Sequence, residues 1–346
     1  MLDPAEGSSF LRACRCLPVD HTPVWFMRQA GRSLPEYRAA RGRGSILEAV
    51  ATPELAAELT LQPVRRYGVD AAILFSDIVV PVAAVGFGVD VVPGQGPVVD
   101  PPFRTRADLG RLRPLEAEVD IPYVVETVQA LTRELRVPLV GFAGGPFTLA
   151  AYLIEGGPSR TWTLTKTLMR SDPELWRDLL DTLADLSLAA LRAQVAAGAG
   201  AVQLFDSWVG ALSGRDYRTL VWPATHRLLQ GLADLGIPRI HFGVGTGELL
   251  APMADAGADV VGVDWRVPLG EARRRIGPGR AVQGNLDPTT CLAPWEVVAG
   301  EAREVLAEAG DAAGHVFNLG HGVLPETDPD ILARLVDLVH EEGGGR

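Results

Sequence analysis

The sequence is poor in cysteine and has no long apolar run, and each shortage excludes a class of protein. Cys14, Cys16 and Cys291 are an odd and small set, too few for a disulfide framework and typical of a reducing cytosol. No segment approaches the roughly 18 consecutive apolar residues of a membrane helix. The first ten residues carry acidic groups and no apolar core, unlike a signal peptide. We therefore expect a cytoplasmic protein without a membrane partner.

Positive charge is also scarce, and arginine carries almost all of it. The 346 residues include 43 acidic and 32 basic side chains, a formal net charge of −11, and Lys166 is the only lysine. This balance argues against a nucleic-acid partner. An anionic ligand must therefore be bound by arginines concentrated at one place, because the field of the whole protein does not attract it.

Motifs for cofactors and metals are absent as well. The paired glycines of the sequence lack both the Lys-Ser/Thr of a P-loop and the GxGxxG of a dinucleotide-binding fold. The segment Cys14-Arg15-Cys16 has only His21 as a further ligand nearby, and His241 has no partner at metal-binding spacing. No spacing indicates a nucleophile beside a base. The sequence therefore predicts no cofactor and no metal.

Glycine and proline are abundant, with 38 and 26 residues, and they separate short apolar runs from longer helical patterns. Most of the runs are apolar throughout, as expected of parallel strands that are buried on both faces. Eight such strands with helices between them predict an α/β fold, a (β/α)8 TIM barrel, as a single domain over residues 1–346. The predicted strands are 24–27, 71–75, 139–142, 201–205, 240–242, 260–263, 281–283 and 315–318.

Two helices have boundaries that can be recognised in the sequence. Ser171-Asp172-Pro173 supplies a cap and a proline for the first turn, and Gly198 is placed to end the helix that follows. Asp328-Pro329 begins the last helix in the same way. We expect residues 1–20 to form a loose N-terminal segment.

One region interrupts the alternation of strands and helices. Residues 78–120, after the second strand, are rich in proline and glycine. They are too many for an ordinary connection between a strand and its helix. We therefore expect a structured Pro/Gly-rich excursion over the barrel mouth, with a surface insertion of no function as the alternative.

Polar residues follow the predicted strands at the end of the barrel where this fold places its active sites. Arg28 and Arg32 can converge on an anion, since guanidinium groups bind carboxylates through two parallel hydrogen bonds. Two surface arginines paired with acids are the alternative. Asp77, Asp206 and Asp264 each follow an apolar strand that begins after a glycine. Asp77 is either a turn residue or a carboxylate that faces the mouth.

Three further side chains follow later strands. Tyr152 lies on the helix after the glycine-rich segment 141–148 and is either a core residue or a ligand contact. Ser207 is either a helix cap or a ligand contact. His321, in the sequence Asn-Leu-Gly-His-Gly, is a base, a metal ligand or a turn residue. The residues alone leave these alternatives open.

Several of these segments resemble the signatures of the uroporphyrinogen decarboxylase family. Residues 23–38, which include Met-Arg-Gln-Ala-Gly-Arg, resemble its N-terminal signature, and residues 141–149 resemble its second signature. The resemblance extends from about residue 23 to residue 329. Ser33 stands where the family usually has tyrosine, a departure that concerns one contact of the pocket wall. Four shorter segments match in order: 75–78, 205–208, 283–288 and 318–322.

The resemblance implies a homodimeric TIM barrel that converts the four acetate side chains of uroporphyrinogen III into methyl groups. The product is coproporphyrinogen III, for haem and related tetrapyrroles, and no cofactor is used. Loss of carbon dioxide from an acetate needs an electron sink. A pyrrole ring that is protonated at its α-carbon is such a sink, so the substrate replaces a cofactor.

The resemblance also implies a role for each candidate residue. Asp77 would accept hydrogen bonds from the pyrrole N–H groups. Arg28 and Arg32 would bind substrate carboxylates, and Arg28 would also be a proton donor. The other residues would line the site through their backbone or contact the periphery of the substrate: Gln29, Ala30 and Gly31 in the first group, and Tyr152, Ser207 and His321 in the second.

Two other functions remain as alternatives. A zinc-dependent corrinoid methyltransferase shares this fold family, but it needs a His-x-Cys pair, and this chain has His241-Phe242-Gly243. A catalytically inactive tetrapyrrole-binding protein is the second alternative. The presence of both Asp77 and Arg28 argues against it.

Overall fold

The short apolar runs of the sequence form the strands of a parallel sheet. The computed structural model describes residues 7–42, 44–92, 94–310 and 312–344. In these ranges, seven strands pair in the order β1-β4-β5-β6-β7-β8-β9, and β2 and β3 form a separate hairpin. The strands are β1 Ala72–Ile73, β2 Val89–Val92, β3 Gly96–Val99, β4 Leu139–Gly144, β5 Ala201–Phe205, β6 Arg239–Phe242, β7 Val260–Gly262, β8 Ala281–Gln283 and β9 His315–Val316.

Helices connect the successive strands, as the predicted alternation requires. The helices of the described ranges are α1 Ser9–Cys14, α2 Pro35–Arg41, α3 Ile46–Val50, α4 Pro53–Tyr67, α5 Val80–Ala84, α6 Ala117–Asp120, α7 Pro122–Glu134, α8 Pro146–Glu155, α9 Thr163–Ser171, α10 Pro173–Ala196, α11 Gly214–Leu220, α12 Trp222–Gln230, α13 Leu250–Asp255, α14 Leu269–Ile276, α15 Trp295–Ala309 and α16 Pro329–Glu342. None of them is long and apolar enough to cross a membrane.

The two helix boundaries predicted from the sequence are confirmed. Asp172 caps α10 by accepting a hydrogen bond from Leu175 N–H at 3.0 Å, and the helix ends just before Gly198, which has a φ of +121°. Asp328 caps α16 through Asp330 N–H at 2.9 Å. These caps satisfy N–H groups that have no partner within the helix.

Hydrogen bonds across the interior show that the sheet is curled into a barrel. Gln203 on β5 and Gln283 on β8 belong to strands that are not neighbours, yet their side chains are 2.9 Å apart and fully buried. Trp25 also donates from Nε1 to Gln283 Oε1 at 3.0 Å. The three side chains therefore meet inside the barrel, and their hydrogen bonds join elements that are not neighbours in the sheet.

The predicted first strand, 24–27, is present only as an extended segment with one bridge. Val24 pairs in parallel with Phe317, next to β9, and its carbonyl accepts from Asp70 N–H at 2.8 Å, next to β1. The segment therefore lies between the first and last strands of the sheet and closes the barrel. The prediction of a regular strand here is wrong.

Side-chain acceptors explain why this segment does not form a regular ladder. Three of its N–H groups donate to side chains rather than to the backbone of a neighbouring strand. The bonds are Val24 N–H to Asp70 Oδ2 at 2.7 Å, Phe26 N–H to Gln29 Oε1 at 3.0 Å and Met27 N–H to Asn318 Oδ1 at 3.1 Å. These three donors are thus satisfied by side chains, and only Trp25 N–H donates to a neighbouring backbone, at Phe317 O, 3.3 Å away.

The Pro/Gly-rich excursion is structured, as predicted. Helix α5 leads into the β2–β3 hairpin, and a 3₁₀ helix, Arg106–Arg111, and α6 follow. Residue 93, within the excursion, lies outside the described residues. The hairpin packs against α3 and α8, and Phe103 N–H donates to Leu153 O on α8 at 2.8 Å. The excursion therefore supports α8, a helix that begins at the carboxyl end of β4.

The N-terminal segment is ordered where the structure describes it, which corrects the expectation of a loose segment over residues 1–20. Residues 1–6 lie outside the described residues. Helix α1 packs against β8 and β9, and it buries Phe10, Leu11 and Cys14 almost completely. Burial of this apolar face stabilises a helix that is too short to form alone.

Candidate active site

All the candidate side chains follow strands, and the strands are parallel. Arg28 follows the segment that closes the barrel, Asp77 follows β1, and Tyr152 lies on the helix after β4. Ser207 follows β5, and His321 follows β9. Because the carboxyl ends of parallel strands meet at one end of a barrel, the fold brings these residues to the same mouth.

A tight turn presents Arg28. Gln29 is fully buried, and its amide group accepts from Phe26 N–H and donates to Ala71 O at 3.2 Å. Arg28 has a φ of +59°, a left-handed conformation that is uncommon for a residue other than glycine. A Cβ at Gly322 would lie 2.7 Å from Arg28 Cγ, so the aliphatic part of the Arg28 side chain packs directly against the backbone of Gly322. This backbone contact places Arg28 beside His321.

The charge of Arg28 has no partner among the described residues. Its side chain is exposed and forms neither an ion pair nor a hydrogen bond with them. It is nevertheless close enough to lower the pKa values of Asp77, Tyr152 and His321. Arg28 therefore lies among the other candidate residues with its guanidinium group available to a ligand.

Asp77 is both a turn residue and a partly buried acid at the mouth. Its Oδ1 accepts a hydrogen bond from Val79 N–H at 3.1 Å. Burial raises the pKa of Asp77, and the Val79 N–H and the charge of Arg28 oppose that rise. No ion pair within 4.0 Å joins Asp77 to a described residue. The two interpretations of Asp77 from the sequence, a turn residue and a carboxylate at the mouth, are therefore compatible.

Tyr152 remains a hydrogen-bond donor at neutral pH. Burial, together with the nearby charge of Asp77, raises its pKa to about 12. Its ring packs on Trp208, with ring centroids 3.9 Å apart. Thr148, on the same helix, accepts from Trp208 N–H at 3.2 Å and donates to buried Asp206 at 2.7 Å. Helix α8 and the turn after β5 are therefore held together.

The turn after β5 carries Ser207 on its partly exposed side. Ser207 does not cap the short 3₁₀ helix that follows, which has no side-chain cap. Asp206 anchors the turn, and a Cβ at Gly145 would lie 2.7 Å from Asp206 Oδ1, so only glycine fits against it. The Ser207 hydroxyl makes no hydrogen bond with the described residues and is available to a ligand.

His321 is neutral, and its tautomer can be inferred from its contacts. Its Nδ1 accepts a hydrogen bond from Gly322 N–H at 2.6 Å, which leaves the proton on Nε2. Burial lowers the pKa of His321 to about 4, and the charges of Arg28 and Arg266 add to this effect. The ring therefore presents an N–H donor and takes up a proton only in acid.

The remaining predicted residues occupy the loop after Arg28. Arg32 is exposed, and its side chain makes no ion pair with a described residue. Ala30 and Gly31 are partly exposed, and a Cβ at Gly31 would lie 2.8 Å from Arg28 O. Gln29 is completely buried and its amide group supports the turn from behind, and the lining role expected of its backbone stays a prediction.

Ser33, the departure from the family signature, is a packing position in this chain. It is 4% exposed and lies against Tyr67, behind the loop that carries Arg32. The substitution therefore concerns the support of this loop.

The sequence reasoning missed Arg266, whose charge reaches His321. The residue follows β7, the strand whose terminal acid, Asp264, had been singled out by its position after an apolar run. The same pattern could have drawn attention to Arg266, two residues further along. Trp208, which packs on Tyr152, was also missed as a wall of the site.

Comparison with known proteins identifies the family. The model of the family described as uroporphyrinogen decarboxylase (URO-D) matches residues 6–342. The chain belongs to the uroporphyrinogen decarboxylase family. A uroporphyrinogen decarboxylase of Salinispora tropica is 64% identical over 340 residues, which cover 98% of this chain and 91% of that protein. A protein of the same name from Streptomyces coelicolor is 63% identical, with 97% and 94% of the two chains covered.

A solved structure supports the same fold. The methyltransferase from Methanosarcina mazei superposes with a TM-score of 0.81 at 22% identity, covering 96% of this chain and 98% of that chain. At this identity the likeness concerns the fold alone. His241, the residue that a methyltransferase-like zinc site would use, is fully buried 3.7 Å from Asp206, and residue 243 is glycine.

Proposed function

We propose that the mouth of this barrel decarboxylates the four acetate side chains of uroporphyrinogen III to methyl groups, giving coproporphyrinogen III. The observation that carries this proposal is the arrangement of Arg28, Arg32 and Asp77. Their charged groups lie at one mouth and have no ion pair with the described residues. The identity of the chain to relatives of that name supports the same reaction.

The reaction needs charge of both signs in one site. A proton adds to the pyrrole α-carbon and makes the ring cationic. The bond between the acetate methylene and its carboxylate then breaks, and its electron pair moves into the ring as carbon dioxide leaves. A second proton converts the exocyclic methylene into a methyl group, and the ring carbon returns its proton. The net change replaces one carboxylate by one hydrogen.

Asp77 is the residue that stabilises the cationic ring. Pyrrole N–H groups are neutral donors in the bound substrate and become part of a cation when the ring is protonated. The attraction between a fixed carboxylate and these groups grows as the ring becomes protonated. The carboxylate therefore stabilises the transition state more than the ground state. The Val79 N–H fixes Asp77 before substrate arrives.

The arginines bind the carboxylates, and the neutral donors complete the contacts. The charge of Arg28 lowers the pKa of Asp77, and Arg28 is the cation that meets the reacting acetate and supplies a proton. Arg32 binds a carboxylate farther along the loop. Tyr152, Ser207 and His321 each offer one uncharged donor to the periphery of the substrate. Ala30 and Gly31 line the site between the two arginines.

The proposal extends to the assembly of the protein. The chain acts as one catalytic domain in the cytoplasm, forms a homodimer, and needs neither a metal nor a cofactor, because the substrate provides the electron sink. Sedimentation analysis of the purified chain tests the dimer.

An anaerobic assay on uroporphyrinogen III tests the reaction, with products separated by their number of carboxylates. After dialysis against a chelator, stepwise loss of four carboxylates is expected. Binding of the tetrapyrrole without turnover would instead indicate an inactive binding protein. Turnover that returns only when zinc is added would favour methyltransferase-like metal chemistry.

A further inference from the structure

Arg266 is a third cation at the mouth, and unlike Arg28 and Arg32 it is fixed by a buried acid. Asp264, only 1% exposed, accepts from Arg266 Nη1 at 2.5 Å and from the Arg266 backbone N–H at 3.1 Å. Gly245 N–H also donates to Asp264 at 2.5 Å. The carboxylate is therefore held from two sides and does not move freely with the arginine.

One edge of the Arg266 guanidinium is left for another partner. The guanidinium group stacks over the Trp265 ring, with its carbon 4.1 Å from the ring centroid. The Arg266 side chain is 50% exposed, and its only ion pair with the described residues is the one to Asp264. Two contacts thus set the orientation of a planar donor whose remaining N–H groups are accessible.

Backbone packing brings Arg266 close to His321, because a Cβ at Gly320 would lie only 2.5 Å from Trp265 N. The residue before His321 therefore packs directly on the turn that carries Arg266. The charges of both Arg28 and Arg266 lower the pKa of His321. The charge of Arg28 also lowers the pKa of Asp77. Arg266 and His321 therefore lie together at the mouth, with Arg28 beside His321.

We propose that Arg266 and His321 together bind a propionate of the substrate, a carboxylate that the reaction keeps, and that Arg266 thereby determines specificity for a polycarboxylate tetrapyrrole. This inference rests on the proposed function. A neutral imidazole N–H and the free edge of a guanidinium can donate to the two oxygens of one carboxylate. Asp264 keeps the guanidinium oriented before the substrate binds, which lowers the entropic cost of recognition.

The test compares Arg266→Gln and Arg266→Lys with Arg303→Gln. Arg303, on α15, is the matched control, because it is 53% exposed and bonds one carboxylate, that of Glu342, at 2.7 Å. The KM of Arg266→Gln for uroporphyrinogen should rise about 10-fold to 100-fold, the effect of losing one charge-assisted hydrogen bond. Its kcat should change less than about 3-fold, since a retained carboxylate is bound equally in ground and transition states.

Partially decarboxylated substrates identify which carboxylate is bound. The KM ratio between variant and wild type should be the same for substrates that have lost one, two or three acetates, since the propionates remain throughout. A ratio that falls as acetates are removed, or an unchanged KM in Arg266→Gln, overturns the proposal. Arg266→Lys keeps the charge beside Asp264 and should also raise KM. A lower melting temperature with a normal KM in both Arg266 variants would overturn it as well. Arg266 would then only stabilise the fold through its ion pair with Asp264.

The wild type and Arg303→Gln separate this inference from the proposed function. If neither turns over uroporphyrinogen, the proposed function fails. If both are active and Arg266→Gln matches them in KM, only the role of Arg266 fails.

Discussion

The two ends of the barrel use charged groups in opposite ways. At the amino end, His21 and His340 each donate from Nε2 to Asp70 at 2.8 Å, and a backbone N–H completes the shell of that carboxylate. At the carboxyl end, Arg28 and Arg32 make no ion pair with the described residues. The charge of Asp70 is thus satisfied internally at one end, whereas the charges of Arg28 and Arg32 are left available at the other.

This difference separates stability from function. Asp70 links the segment before the barrel, the start of β1 and the end of α16, three parts of the chain that are distant in sequence. Removing one partner from such a group leaves the others unsatisfied and destabilises the fold. An unpaired charge at the mouth gives the folded chain no such contact, so its substitution should change the handling of a ligand.

The largest expected effect is that of Asp77→Asn at the carboxyl end. The substitution keeps the size of the side chain but loses the charge and turns an NH₂ donor toward the pyrrole donors. The kcat should fall about 10²-fold to 10³-fold, as when one preorganised electrostatic group is removed. Steady-state kinetics measure this, and Asp77→Glu, which keeps the charge, should retain more activity. A kcat within 3-fold of wild type would make Asp77 a turn residue only.

Arg32→Lys should have the next largest effect. An ammonium group cannot replace a planar fork on a carboxylate, so kcat/KM should fall by a factor that corresponds to about 1.5–3 kcal/mol. The matched control is Arg192→Lys, since Arg192 is exposed and bonds Asp234 away from the mouth. Equal kcat/KM values for the two variants would show that Arg32 is a solvated surface charge.

Asp70→Asn should change stability and leave the reaction intact. Two histidines and one backbone N–H lose an ionised acceptor, which should lower the free energy of unfolding by about 1–3 kcal/mol. Urea denaturation of the variant and the wild type at pH 6 measures the difference. The kcat should stay within 2-fold of wild type, and a large loss of kcat in the folded variant would contradict the separation of the two ends.

The smallest expected effect is a pH dependence of stability, because the contact between Asp70 and His21 stabilises the fold only while both groups are charged. The hydrogen bond to Asp70 raises the pKa of His21 above 6.5, so this stabilisation is complete below about pH 6.5 and is lost as pH rises through the raised value. Burial acts to raise the pKa of Asp70, but hydrogen bonds from both histidines outweigh it and hold it below 3.8.

The stabilisation by Asp70 is therefore present above pH 3.8 and is lost as pH falls through the lowered value. The difference in unfolding free energy between wild type and Asp70→Asn should be greatest between about pH 4 and 6.5 and should shrink toward pH 8.5. Urea denaturation across this range measures it. A difference that grows from pH 6 to pH 8.5 would show that His21 is not protonated in the pair.

Local patterns in the sequence predicted a strand correctly where its backbone N–H groups donate to the backbone of a neighbouring strand. The runs 201–205 and 281–283 form β5 and β8 with the predicted bounds. The run 24–27 is equally apolar, yet the side chains of residues 70 and 318 accept its N–H groups. Those acceptors are far away in sequence, so no local pattern could reveal them. Helix α1 was missed for a related reason, since burial against β8 and β9 stabilises it.

The candidate site was predicted unevenly. The resemblance supplied the positions of Arg28, Asp77 and His321, and the structure places all three at one mouth. Spacing alone could not reveal that Arg28 is unpaired or that Gln29 is buried behind it, because both depend on contacts between distant segments. Arg266 was missed because its position near His321 arises only in the folded chain, where the turn after β7 packs against Gly320.

A parallel measurement of kcat and melting temperature for Asp77→Asn and Asp70→Asn tests the division between the two ends most directly. Both substitutions remove one carboxylate and keep its size. Asp77→Asn should lose about 10²-fold to 10³-fold in kcat with a melting temperature close to that of wild type. Asp70→Asn should melt at a lower temperature and keep its kcat. If Asp77→Asn melts early and keeps its kcat, the carboxyl end also uses its charge for stability, and the proposed role of Asp77 is wrong.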